Sequence, residues 1–177
     1  MASERTTDTK FGIVSLAVTL LVAVAFGVFV LPRIGGRAER KPAPDFALPV
    51  IHGGERGARV RLSEQRGKAV LLDFWASWCQ PCRQQAKVLE RLRAKHPELV
   101  VIGVNVSDTP ENAARYLQAE NPPWLVVEDH QGAANLAYEV ETLPTLVAID
   151  KTGNVVAIRR RFVPDKELAA LLGDLLD

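Results

Sequence analysis

A chain of 177 residues with 47% hydrophobic and 24% charged side chains has the balance of one globular domain with an appendage, not of a disordered chain. Twenty-two basic and twenty-one acidic side chains leave a formal charge of +1, too small an excess for an extended nucleic-acid-binding surface. Two cysteines exclude a multi-disulfide scaffold and a four-cysteine zinc or iron–sulfur site.

In chain order, the first 41 residues are basic. They hold Arg5, Lys10, Arg33, Arg37, Arg40 and Lys41 against Glu4, Asp8 and Glu39, and leave sixteen basic and eighteen acidic side chains to the rest. Within them, 21 residues over 11–31 carry no charge and 17 are hydrophobic. At about 1.5 Å rise per residue, such a helix spans a hydrocarbon core of about 30 Å. Pro32 and Gly35-Gly36 would end it. The expected organisation is a tail over 1–10, a transmembrane signal-anchor helix over 11–31, a linker over 32–42 and a folded domain over 43–177. Ala23-Val24-Ala25 fits a signal-peptide cleavage pattern, but the uncharged residues 26–31 continue past it and favour an uncleaved anchor. Two basic residues precede the segment and four follow it, so the positive-inside rule puts the domain in the cytoplasm.

Beyond the linker the elements alternate. Strands over 46–50 and 60–62 form a hairpin around the turn-rich 52–57. Residues 69–75 are almost continuously apolar, as suits a central strand buried on both faces. Cys82, Ala86, Leu89 and Leu92 have helical spacing, which predicts a helix from 79 to about 95. Next come a buried strand over 99–106 and an amphipathic helix over 109–120, with Asp108 or Thr109 as its N-cap. A short strand over 125–128 and a short helix over 133–138 follow. Strands over 145–149 and 155–162 flank a turn at 150–154, and a last helix runs from 164 to 176. The order β-β-β-α-β-α-β-α-β-β-α reads as an α/β fold on a mixed sheet.

Both cysteines lie in Trp78-Cys79-Gln80-Pro81-Cys82, after the central strand and at the start of a helix. Their spacing puts both sulfurs on one side of a first helical turn. Unpaired N–H groups and the partial positive charge there stabilise a thiolate at Cys79, the attacking species in disulfide exchange. Cys82 is placed to resolve the mixed disulfide, and Pro81 costs no hydrogen bond in a first turn. The pair can therefore cycle between dithiol and disulfide. Competing readings fit less well. Half a zinc site needs two more ligands, and His52, His96 and His130 have no paired spacing. Haem attachment needs His where Arg83 stands. A purely structural disulfide closing so short a loop gains little chain entropy.

The run 70–82, Val-Leu-Leu-Asp-Phe-Trp-Ala-Ser-Trp-Cys-Gln-Pro-Cys, resembles the thioredoxin active-site segment. Residues 43–48 and 62–68 resemble the opening hairpin of the TlpA/ResA-like membrane-anchored thiol–disulfide oxidoreductases, and 138–145 resembles the segment around that family's cis-proline. The resemblance implies a thioredoxin-like fold: a central mixed sheet flanked by helices, with an N-terminal β-hairpin. It implies a redox-active Cys79–Cys82 disulfide with no further cofactor and no metal. It implies protein thiol and disulfide substrates, as in cytochrome c maturation or metal-centre assembly, and electrons from a membrane-embedded thiol reductase. It also implies a catalytic domain held by residues 11–31 on the outer or periplasmic face of the cytoplasmic membrane, against the charge rule.

Further residues gain roles beside this resemblance. Pro144 at a strand edge suits a cis bond after Leu143; the family implies that it lies against the disulfide, with the Thr142–Leu143 backbone pairing with substrate. Asp73 reads either as a desolvated proton acceptor for Cys82 or as a strand-end acid reaching solvent; it makes the chain more like general thioredoxins than like the tethered subfamily. Trp78 flanks the reactive sulfur and Trp75 packs. Gln80 and Pro81 tune the redox potential, and a neutral Gln80 departs from cytochrome-maturation members that carry an acid there. Glu139 and Glu141 either add acidity near the site or lie on an exposed connection. Arg159-Arg160-Arg161 reads as a solvated or edge-protecting run. A second function class is a Cu(I)-handling or assembly protein using the same thiolates. A peroxidase is disfavoured by Ser77-Trp78-Cys79 and the lack of a resolving-cysteine arrangement.

Overall fold

The computed structural model describes residues 41–176 together with 18–22, 24 and 26. The chain divides into two units, Met1–Glu39 and Arg40–Asp177. In the first, the described residues are helical, and Leu20, Leu21 and Val22 are exposed. No described helix is long and apolar enough to cross a membrane; most of the expected anchor over 11–31 lies outside the described residues.

The second unit is built on β1 (Ala47–His52), β2 (Arg59–Arg61), β3 (Val70–Trp75), α1 (Gln80–Lys95), β4 (Val100–Asn105), α2 (Pro110–Glu120), β5 (Leu125–Glu128), α3 (Ala133–Ala137), β6 (Thr145–Ile149), β7 (Val155–Arg159) and α4 (Asp165–Leu176). Seven strands form one mixed sheet in the order β2-β1-β5-β4-β3-β6-β7. β3, β4 and β5 run parallel, and β6 lies antiparallel to β3. The apolar run at 69–75 accordingly takes an interior place in the sheet, between β4 and β6, with all six residues of β3 buried. The expected hairpin also joins this sheet, since β1 pairs antiparallel with β5, Val50 opposite Val127. Lys41 and Pro42 already belong to the domain: Lys41 O accepts from Val155 N, and Pro42 bridges to Asn154.

Alternation along β3 sorts its side chains. Leu71 and Trp75 join a core with Val88, Leu89 and Leu92 of α1, Leu117 of α2 and Leu168 and Leu172 of α4. Val70, Leu72 and Phe74 join the opposite core, with Leu48, Leu62, Ala134 and Tyr138. The crossovers β3-α1-β4 and β4-α2-β5 step the same way across the sheet, so right-handed connections put α1 and α2 on one face. Asp73 shares that face with Leu71 and Trp75. Gly103, opposite Asp73 in register, lets two indoles lie against β4: a Cβ there would sit 3.1 Å from Trp75 Nε1 and 3.4 Å from Trp124 Nε1.

The last strand is shorter than expected, ending at Arg159 instead of 162. The chain leaves the sheet because side chains draw it toward α4. Glu167 accepts from Arg159 Nε at 3.1 Å and from Arg161 at 2.8 and 2.9 Å. Buried Gln85 on α1 takes both backbone groups of Val163, accepting from its N–H at 2.7 Å and donating to its carbonyl at 3.2 Å. Arg160 donates to Glu139 O at 3.1 Å. The three arginines therefore fasten neighbouring segments and are not merely a solvated run.

Candidate active site

β3 delivers the chain to the site. After Trp75 it turns through residues 76–78, and Cys79 becomes the N-cap of α1, with extended backbone (φ −81°, ψ 101°). The position usually filled by a capping oxygen is filled here by sulfur: Cys79 Sγ accepts from the Cys82 N–H at 3.2 Å. Pro81 falls in the first turn, where a missing N–H costs nothing. Cys79 and Cys82 form a disulfide with Cα atoms 5.3 Å apart, and both are buried, at 4% and 2% exposure. Gln80 and Pro81 between them are exposed.

A polar scaffold fixes the turn before Cys79. Asp108, three residues past the end of β4, accepts from Ser77 N at 2.6 Å, Ser77 Oγ at 2.9 Å and Asn105 Nδ2 at 3.1 Å. It is therefore not the cap of α2; Thr109 is, its hydroxyl accepting from Asn112 N at 3.2 Å. Trp78 is 64% exposed and donates its indole N–H to Ser107 O at 2.9 Å. Arg83 donates to Ser77 O at 3.2 Å, and its guanidinium lies 5.3 Å from the centroid of the Tyr116 ring.

Asp73 is 3% exposed, which removes the reading of an acid reaching solvent. Its Oδ1 is buried without a hydrogen-bond partner, and burial pushes its pKa up to about 7. It lines a small cavity with Cys82, Trp75 and Tyr116, of about 10 Å³, near the minimum that admits one water. A carboxyl group titrating near neutrality thus shares a cavity with the second cysteine.

The peptide between Leu143 and Pro144 is cis, as expected. Thr145 pairs with Phe74 in register, so Pro144 falls one step further, at the end of β3 from which the Cys79 turn departs. Pro144 is buried, Leu143 half-buried and Thr142 exposed. Hydrogen bonds brace this loop: Thr145 Oγ1 donates to Thr142 O at 2.7 Å and Thr142 Oγ1 to Arg160 O at 3.0 Å. Glu139 lies on an exposed connection, at φ 52°, facing Arg160. Sequence reasoning missed Asp108 as a clamp, Arg83, Tyr116 and Gln85. Only Gln85 had a local signal, as a polar residue on the apolar stripe of α1.

Fold and site together define a thioredoxin-like thiol–disulfide exchange protein. The profile of the AhpC/TSA family matches residues 40–158. The chain is 30% identical over 148 residues to the thiol-disulfide oxidoreductase ResA of Geobacillus kaustophilus, covering 81% of this chain and 83% of that one. It is 34% identical over 173 residues to the thiol:disulfide interchange protein DsbE of Pseudomonas fluorescens biotype C, covering 93% and 94%. Among solved structures, a Chlorobium tepidum chain assigned as a DsbE thiol:disulfide interchange protein superposes with a TM-score of 0.71 at 32% identity, over 78% of this chain and 97% of that one. The chain belongs to the AhpC/TSA family and is a thiol–disulfide oxidoreductase of the ResA/DsbE type.

Proposed function

We propose that the chain is a membrane-tethered reductant of protein disulfides outside the cytoplasmic membrane. The observation that carries the chemistry is the Cys79 sulfur at the N-cap of α1, accepting from Cys82 N. In the reduced protein, the same N–H groups and helix dipole stabilise a Cys79 thiolate. That thiolate attacks a substrate disulfide, bonds to one sulfur and releases the other as a thiolate. Cys82 then loses its proton to Asp73 and attacks Cys79 Sγ. The second substrate thiol leaves, and the Cys79–Cys82 disulfide forms. Two electrons have passed from protein to substrate, and a membrane-embedded thiol reductase returns them.

Exposed Trp78 and the Thr142–Leu143 backbone before cis-Pro144 provide the surface on which an extended substrate lies, and the Gln80-Pro81 pair tunes the potential. Tethering is supported by the uncharged stretch over 11–31. The substrates are disulfide-bonded proteins of the kind reduced in cytochrome c maturation or metal-centre assembly. Replacing Cys79→Ser should abolish reduction of a protein disulfide in a turbidity assay with insulin. Retained activity would refute the assignment.

A further inference from the structure

Tyr116 on α2 stands between two spaces. Inside is the cavity of about 10 Å³ that it shares with Asp73, Trp75 and Cys82. Outside is an open groove of about 410 Å³ beside Trp78 and Arg83, which Tyr116 also lines. Its ring is held in place: the Trp75 ring centroid is 4.7 Å away and the Arg83 guanidinium 5.3 Å. Ala86, Leu117, Pro122, Trp124 and Val126 complete an otherwise largely apolar inner wall. Tyr116 therefore lines both the space beside the unpartnered carboxyl oxygen of Asp73 and the groove.

We propose that Tyr116 is a positioning residue for proton transfer in this active site: its ring keeps bulk water from Asp73 and so sets the pH at which Asp73 accepts the proton of Cys82. This rests on the reading of Asp73 as that acceptor. In the step concerned, the Cys82 sulfur gives up its proton to the Asp73 carboxylate and forms the bond to Cys79 Sγ. The substrate sulfur leaves with the pair of electrons that bound it to Cys79, and Asp73 later returns its proton to solvent. The neighbours of Asp73 across the sheet, Gly103 and Leu146, do not titrate. The titratable groups lining the cavity besides Asp73 are Cys82 from α1 and Tyr116 from α2; Arg83 from α1 and Glu120 from α2 line the groove on the outer side and act on the Tyr116 ring and hydroxyl, and the α4 residues in this core, Leu168, Leu172 and Leu175, carry no charge. Burial pushes the Tyr116 hydroxyl up, with Glu120 and then Asp73 adding to the rise, so Asp73 and the hydroxyl are within electrostatic reach. Opening the partition hydrates the carboxylate and favours its ionised form, so the base becomes available at lower pH.

The test follows the reduced full-length protein with dithiobis(nitrobenzoate) by stopped flow. Attack by Cys79 releases the first nitrothiobenzoate and attack by Cys82 the second; the rate of the second phase is read against pH. Tyr116→Ala should lower the midpoint of that profile by about one pH unit, roughly a tenfold rise in the ionised fraction of Asp73 on the acid side. Tyr116→Leu, which retains apolar packing on Trp75, should lower it in the same direction and serves if the alanine variant does not fold. A midpoint fixed in both, or a uniform slowing with no shift, would overturn the partition while Asp73→Asn still removes the transition. A transition that survives Asp73→Asn would instead overturn Asp73 as acceptor, and this inference with it. A shift in Tyr116→Phe as large as in Tyr116→Ala would assign the effect to the hydroxyl and refute the role of the ring.

Discussion

Asp73 carries a cost that depends on pH. Burial raises its pKa from 3.8 to about 7. Below the lower value the carboxyl is protonated in both folded and unfolded chains and adds no pH-dependent cost. Between the two values the unfolded chain ionises and the folded one does not, so stability falls as pH rises. Above the upper value the fall is complete, and a displacement of about three units amounts to roughly 4 kcal/mol. Asp73→Asn should abolish that fall, leaving the oxidised protein more stable than wild type by a few kcal/mol under mildly alkaline conditions and about equal to it near the lower value. Urea denaturation of both proteins across the range checks this, and parallel profiles for wild type and Asp73→Asn would contradict it. The burial of Asp73 was legible because the acid interrupts an apolar run. Its cavity neighbour Tyr116 was not, because it meets Asp73 only once α2 has packed on the same face of the sheet as α1.

At the scale of elements, both long helices before β5 start where their caps stand. Cys79 caps α1 with sulfur and Thr109 caps α2 with oxygen, each followed by proline in the first turn. These signals are local, and the sequence carries them openly. Asp108 read as a rival to Thr109 for the cap, and its role as a clamp was hidden because its partner Ser77 lies 31 residues earlier. Where β7 ends was hidden for the same reason, since Val155–Arg159 continues into residues of similar strand propensity and only Glu167 and Gln85 pull the chain away. Gln85→Leu keeps the volume but leaves the N–H and carbonyl of Val163 without partners in the core. It should cost about 2–4 kcal/mol in urea denaturation. A loss under about 1 kcal/mol would mean that the Val163 turn finds other partners. The paired arginines on Glu167 and the Arg91–Asp165 pair between α1 and α4 are solvent-facing, and such pairs guide the chain more than they stabilise it.

For the whole molecule, the alternation of strands and helices made the α/β class and the mixed sheet legible. The attachment of the opening hairpin was not, because β1 finds β5 across more than seventy residues of chain and no local pattern marks that pairing. Charge gives the opposite side of the membrane from chemistry: four basic residues after the 11–31 stretch argue for a cytoplasmic domain, while the proposed reductase works outside. A membrane-impermeant thiol reagent applied to intact cells after reduction decides between them. Labelling of the two cysteines before lysis is expected, and labelling only after lysis would place the domain inside. The central claim is the division of labour between the cysteines, and trapping tests it most directly. In Cys82→Ser the resolving sulfur is gone, so substrate proteins should accumulate on Cys79 as mixed disulfides, visible as reductant-sensitive bands on a non-reducing gel. Cys79→Ser should show none. Equal trapping by both variants, or by neither, would contradict the account.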